Sequence, residues 1–124
     1  NTLIKESDVI SLHLHLNQDT DNMFNQTVFQ QMKKGAYLIN TARGKIVNEA
    51  DLLVALENKQ LAAYATDVLA DELDFNREFK NNPLVEYAKN RDNLIIVPHI
   101  GGMTHESREA TDVFIAQKIK AFLS

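Results

Sequence analysis

The chain predicts an α/β fold, a parallel Rossmann-like sheet with flanking helices. Three observations lead there. Short apolar runs at Ala36 to Ile39, Leu61 to Ala65 and Leu94 to Val97 have strand length and lack a helical period. Capped segments of about ten residues alternate with them, the pattern of βαβ units with right-handed crossovers. Three ionisable residues, Arg43, Glu72 and His99, follow those runs closely. Open parallel sheets bind and transform small molecules at the carboxyl ends of their strands, so this placement has chemical meaning.

The first residues, Asn1 to Ser7, read as the tail of a helix or loop, and they run into an expected strand at Asp8 to Leu14. No initiator methionine precedes them, and a truncated start is the expectation. Asn17 to Asp21 supplies the polar turn that stops this strand. Asn25 is the N-cap of a helix from about Gln26 to Lys34, whose Val28, Phe29 and Met32 share a face. Lys33 and Lys34 suit its negative end, and Gly35 is the expected left-handed residue beyond it. The second strand, Ala36 to Ile39, is continuously apolar, as expected where both faces are covered.

Asn48, Glu49 and Asp51 mark the next helix start, and Leu52, Leu53 and Leu56 its buried face. Strand three follows at Leu61 to Ala65. The segment Ala70 to Asp92 has no clean period and includes Asn81-Asn82-Pro83, so it reads as a long connection with one helical turn near Leu84 to Ala88. Pro98, which cannot donate to a ladder, closes strand four. Thr104 caps the last helix, where Val113, Ile115, Ala116, Ile119, Phe122 and Leu123 make an apolar stripe wide enough to call for a partner surface.

With 124 residues and 44% hydrophobic content, one compact unit is expected. The net charge of −4 and the scattered lysines and arginines argue against a nucleic-acid partner. There is no cysteine, hence no disulfide framework and no thiolate metal site. That composition fits a reducing compartment, with the cytosol as the default. No secretory signal opens the chain and no apolar run approaches ~20 residues, so a membrane span is not expected. His13 and His15 would point the same way on a strand, but no third metal ligand accompanies them and no metal is expected. The G-x-S-x-G, P-loop and G-x-G-x-x-G patterns are all missing from these residues. Any nucleotide site built from them alone is incomplete.

Arg43, in Asn40-Thr-Ala-Arg43-Gly44, has the planar fork that matches a carboxylate bidentately. A surface ion pair is the plainer reading, and the position after a buried strand weighs against it. His99, between Pro98 and the pair Gly101-Gly102, is placed for general acid–base work near neutral pH. Glu72 is its natural partner, because a carboxylate beside an imidazole orients it and favours its charged form. Asp67 closes strand three as an acceptor for a ligand or for a turn, with neither favoured.

At these residues the chain resembles the D-isomer-specific 2-hydroxyacid dehydrogenase family. The resemblance rests on Ser11-Leu-His13, on Gly35 through Asn40-Thr-Ala-Arg43-Gly44, on Thr66-Asp67-Val68 through Glu72, and on Pro98-His99-Ile-Gly-Gly102. It implies the second half of an NAD-binding domain over residues 1–124, with 104–124 leading back to a substrate domain absent from these residues. It also implies an oxidoreductase passing a hydride between NAD and a small D-2-hydroxy acid or 2-oxo acid, as part of a homodimeric parent. The 124 residues alone are expected to be inactive, and NADP in place of NAD is left open.

By the same resemblance, Arg43 binds the substrate carboxylate, His99 exchanges the proton and Glu72 pairs with His99. The cofactor side would comprise Leu14, His15, Thr20, Thr41, Ala42, Arg43, Asp67, His99, Gly101 and Gly102. His15 stands where the family usually has proline, Leu73 follows Glu72 where proline is common, and the connection to strand four is longer than in compact members. A cofactor-regulated binding module similar to transcriptional corepressors of this fold is the alternative reading.

Overall fold

A computed structural model describes residues 2–72 and 82–123. Leu73, Asp74 and Asn81, assigned above to the long connection, lie outside the described residues. Four parallel strands lie in the order β1-β2-β3-β4, namely Val9–Leu12, Ala36–Asn40, Leu61–Thr66 and Leu94–Ile96. Sequential order with parallel pairing requires a crossover between each pair of strands. The helices are α1 (Thr2–Glu6), α2 (Gln26–Gln31), α3 (Glu49–Glu57), α4 (Pro83–Ala88) and α5 (His105–Leu123).

The core lies between the sheet and helices α2, α3 and α4. Leu38 and Leu61 from the strands meet Phe29 of α2, Leu52 and Leu56 of α3 and Leu84 of α4, all at or below 1% exposure. Asn25 caps α2 by accepting from Thr27 and Val28, and Asn48 caps α3 by accepting from Asp51. Asn82 caps α4 from the position before Pro83, which fits the first helical turn because its missing N–H would have no partner there. Thr104 Oγ1 accepts from Ser107 at the start of α5.

Several elements differ from the sequence expectation. The first strand stops at Leu12, so His13 and His15 sit in the following loop and the same-face argument for them fails. The first long helix ends at Gln31, three residues early. Met32 turns to extended backbone, and the Gln60 side-chain amide donates to the carbonyls of Phe29 and Met32, satisfying groups that a longer helix would have used. Gly35 is left-handed (φ 79°) as a turn residue into β2, with its N–H on Gln60 O, and is not the helix cap. Lys33 pairs with Asp8.

The largest correction concerns cover. Val9 and Tyr37, from neighbouring strands, are 55% and 51% exposed, and Ile95 on β4 is 60% exposed. Among the described residues no helix packs on that face of the sheet, and α5 has no buried residue. The apolar runs anticipated two covered faces, and the helices supply one.

A register shift between Ala36 and Tyr37 lets β3 bring Leu61 and Tyr64, three residues apart, to the covered side. Burial pushes the Tyr64 phenol up to about 12 from its ordinary 10, opposed by hydrogen bonds to Thr66 and Asn40 and aided by the Glu49 charge. The fold therefore favours the neutral phenol, and the unfolded chain ionises first as pH rises. The associated stability is complete below about pH 10 and lost towards pH 12, on the order of 3 kcal/mol. Urea unfolding at about pH 9 and about pH 11.5 should show a larger alkaline loss for the natural chain than for Tyr64→Phe. Equal losses would contradict the assignment.

Candidate active site

Parallel strands end on the same side, so the loops after β1 to β4 gather at one sheet edge. The loop after β1 is tied to the one after β2 by three backbone bonds, Asn22 N–H to Lys45 O, Phe24 N–H to Ile46 O and Asn48 N–H to Phe24 O. Leu14 and His15 lie in that first loop, exposed, and Thr20 Oγ1 donates to His15 O at 2.6 Å. His13 Nε2 lies 2.9 Å from Ser11 Oγ.

The loop after β2 is set by Asn40, which is fully buried. Its Oδ1 accepts from Ala42 N–H at 3.0 Å and its Nδ2 donates to Arg43 O at 2.9 Å, so one side chain fixes both ends of the turn that presents Arg43. Arg43 is exposed, with Nη1 donating to Ala42 O. Thr41 is exposed and Ala42 half-buried. Gly44, opening a 3-10 turn Gly44–Ile46, packs on the backbone of the loop after β3: a Cβ there would fall 2.0 Å from Leu69 C and 2.3 Å from Ala70 N. The loops carrying Arg43 and Glu72 are thus in backbone contact.

Glu72 uses both carboxylate oxygens. Oε2 accepts from Leu69 N–H at 3.0 Å, and Oε1 lies 2.7 Å from His99 Nδ1. The pairing assigns the Nδ1 proton to the bond with Glu72 and turns Nε2 away from it. The carboxylate is 18% exposed and the imidazole 46%, so the pair is half sheltered with the histidine facing out.

His99 has a left-handed backbone (φ 54°), costly for a residue with a Cβ. Asp67 holds it there. Buried at the end of β3, its Oδ1 accepts from Ile100 N–H and its Oδ2 from Gly101 N–H, both at 2.8 Å. Of the two roles open in the sequence, the structure displays the turn acceptor. A Cβ on Gly101 would stand 2.9 Å from Asp67 Oδ2, so the carboxylate would have to shift to admit one, whereas Gly102 faces open space.

Two concavities flank Glu72. A cavity of about 470 Å³ is lined by Asp67, Leu69, Val85, Pro98, His99 and Glu72, and one of about 440 Å³ by Leu16, Arg43, Gly44, Lys45, Leu69 and Glu72. Arg43, Glu72 and His99 are therefore consecutive along one edge. Among the described residues no cluster of three metal-ligating side chains occurs. Sequence reasoning overlooked Asn40 and Glu49 as organisers; Asn40 carried a signal, an amide closing an otherwise apolar strand.

A family model described as D-isomer specific 2-hydroxyacid dehydrogenase, NAD binding domain, matches residues 1–101. The chain is 38% identical over 122 residues to a glyoxylate reductase of Thermococcus litoralis, covering 98% of the chain and 34% of that protein. It is 39% identical over 117 residues to the D-3-phosphoglycerate dehydrogenase of Escherichia coli K12, covering 94% and 28%. A crystal structure of D-lactate dehydrogenase from Aquifex aeolicus complexed with NAD and lactic acid superposes with a TM-score of 0.79 at 38% identity, over 98% of this chain and 38% of that one. The chain spans about a third of the length of these relatives.

Gly44→Ala forces a methyl group into backbone that has no side chain to yield, and should destabilise by at least about 2 kcal/mol. Urea midpoints with an unchanged denaturant slope would measure it; a loss below about 0.5 kcal/mol would contradict the backbone contact.

Proposed function

The chain belongs to the D-isomer specific 2-hydroxyacid dehydrogenases, through their NAD binding domain, and from that premise we propose that its strand-end residues carry the substrate-binding and proton-transfer steps of a 2-hydroxy acid/2-oxo acid oxidoreductase. The observation that carries the reading is the 2.7 Å Glu72–His99 hydrogen bond, beside which Arg43 lines the adjoining concavity with Glu72.

Arg43 binds the substrate carboxylate through its guanidinium fork, which aligns the neighbouring C2 carbon and its oxygen. His99 Nε2 removes the proton of the C2 hydroxyl in oxidation and returns it to the keto oxygen in reduction. Glu72 keeps the proton on Nδ1, orients the ring and offsets the charge that develops when Nε2 gains a proton. Asp67 fixes the backbone angle from which the imidazole projects. When bound, the nicotinamide supplies the hydride acceptor or donor for C2.

The residues present fit the nicotinamide half of that cofactor. Gly102 leaves open space where a side chain would project, and it neighbours the Asp67 turn on the edge that also carries Thr41 and Ala42. Leu14, His15 and Thr20 are proposed for the adenosine side. No G-x-G-x-x-G cradle for the pyrophosphate occurs in the 124 residues, so holding the cofactor needs further chain. We extend the proposal to a small 2-oxo acid as substrate, a homodimeric whole protein and a cytoplasmic setting.

Purified alone, the 124 residues should not oxidise NADH with any 2-oxo acid; oxidation dependent on His99 would contradict the claim of incompleteness. Exchanged for the matching segment of the Aquifex aeolicus D-lactate dehydrogenase, they should support NADH-dependent reduction of a 2-oxo acid. In that enzyme His99→Gln should lower kcat by about 10²–10⁴ with NADH affinity retained, and Arg43→Lys should raise KM. A folded exchange enzyme that binds NADH and reduces nothing would overturn the reading.

A further inference from the structure

Glu49 lies outside the proposed reaction, yet its carboxylate touches both sides of the segment that carries Glu72. Ala70 N–H donates to Glu49 Oε1 at 2.7 Å, and Asn82 Nδ2 donates to Oε2 at 3.3 Å. Ala70 is two residues before Glu72 and next to Leu69, whose own N–H donates to Glu72 Oε2. Asn82 is buried, and its Oδ1 accepts from Leu84 and Val85 N–H, so its amide cannot flip without losing the cap of α4. Val85 of that helix lines the cavity shared by Glu72 and His99.

We propose that Glu49 is a positioning residue for the Glu72–His99 pair, fixing from α3 the turn out of which Glu72 reaches the imidazole. An acid in the first turn of α3 also complements the helix dipole, but that effect requires no particular partner. Two charge-assisted bonds to Ala70 and Asn82 do require one. The proposal rests on the dehydrogenase reading only for the pair's purpose, since the geometry can be observed without turnover.

The donor and acceptor roles define the test. Glu49→Gln must give up one of its two bonds, because its amide NH₂ faces either the Ala70 N–H or the Asn82 amide donor. Glu49→Gln combined with Asn82→Asp restores both, with the polarity of the 49–82 bond alone exchanged, since the introduced side-chain amide then donates to a carboxylate that still caps α4.

Long-range 1H–15N spectra of the imidazoles of the 124-residue chain, at a fixed alkaline pH, report the tautomer that Glu72 selects. Glu72→Ala sets the full displacement of the His99 ring signals. Glu49→Gln should give at least about a third of it, with Leu69 amide exchange about fivefold faster, and the double variant should return both towards the natural values. His13, His15 and His105 should stay in place. Asn82→Asp alone keeps the cap but opposes two carboxylates, so it should displace His99 in the same sense, which provides a second reading if Glu49→Gln fails to fold. Unmoved His99 and Leu69 signals in either single variant, or no recovery in the double variant, would overturn the proposal. The readout is independent of turnover, so its failure and the failure of the dehydrogenase reading are separate results.

Discussion

The candidate site depends on the parallel register that sets Leu12 beside Asn40, Asn40 beside Thr66 and Thr66 beside Ile96. A parallel ladder ends all its strands on one side, so loops far apart in sequence leave the sheet next to one another. Arg43, Glu72 and His99, 29 and 27 residues apart in the chain, come to one edge for this reason. The pairing extends past the last assigned strand residue, with Val97 N–H on Thr66 O, and Pro98 ends it one step before the histidine.

Register brings the loops together, and buried polar side chains give them shape. The buried polar residues Asn40, Thr66, Asp67 and Asn82 all lie at strand ends or at a helix cap. Each is hydrogen-bonded, as burial of a polar group demands. Thr66 Oγ1 donates to Val68 O, Asp67 holds the backbone around His99, and Asn40 spans the Arg43 turn. The core beneath is almost wholly apolar. The polar layer above it converts a sheet edge into a constellation, at the cost of a left-handed histidine.

Local chemistry was readable from the sequence. Asn25, Asn48 and Thr104 cap helices because an acceptor before an apolar stripe acts within three residues. The three residues proposed for catalysis drew notice in the sequence because each follows an apolar run. What escaped was decided at long range. Gln60 ends α2 from 28 residues beyond Met32, and no signal near Met32 announces it. Glu49 resembles any first-turn acid until Ala70 and Asn82 are seen on its two oxygens. The open sheet face escaped for a related reason: a run such as Ala36 to Ile39 records a preference for burial on both sides, and only the exposure of Val9, Tyr37 and Ile95 reveals that one side lacks cover among the described residues.

Gathering of the four loops at one edge is open to a direct distance measurement. The chain has no cysteine, so Thr41→Cys accepts a single nitroxide at the start of the Arg43 loop. Paramagnetic broadening falls steeply with distance and sorts the two ends of the sheet. Amides of Leu14, Asp67, Gly101 and Gly102 should broaden strongly, while Asn58 and Gln60 at the opposite end broaden least. Sharp signals at Asp67, Gly101 and Gly102, or broadening at Asn58 and Gln60 as strong as theirs, would contradict the shared edge on which the account rests.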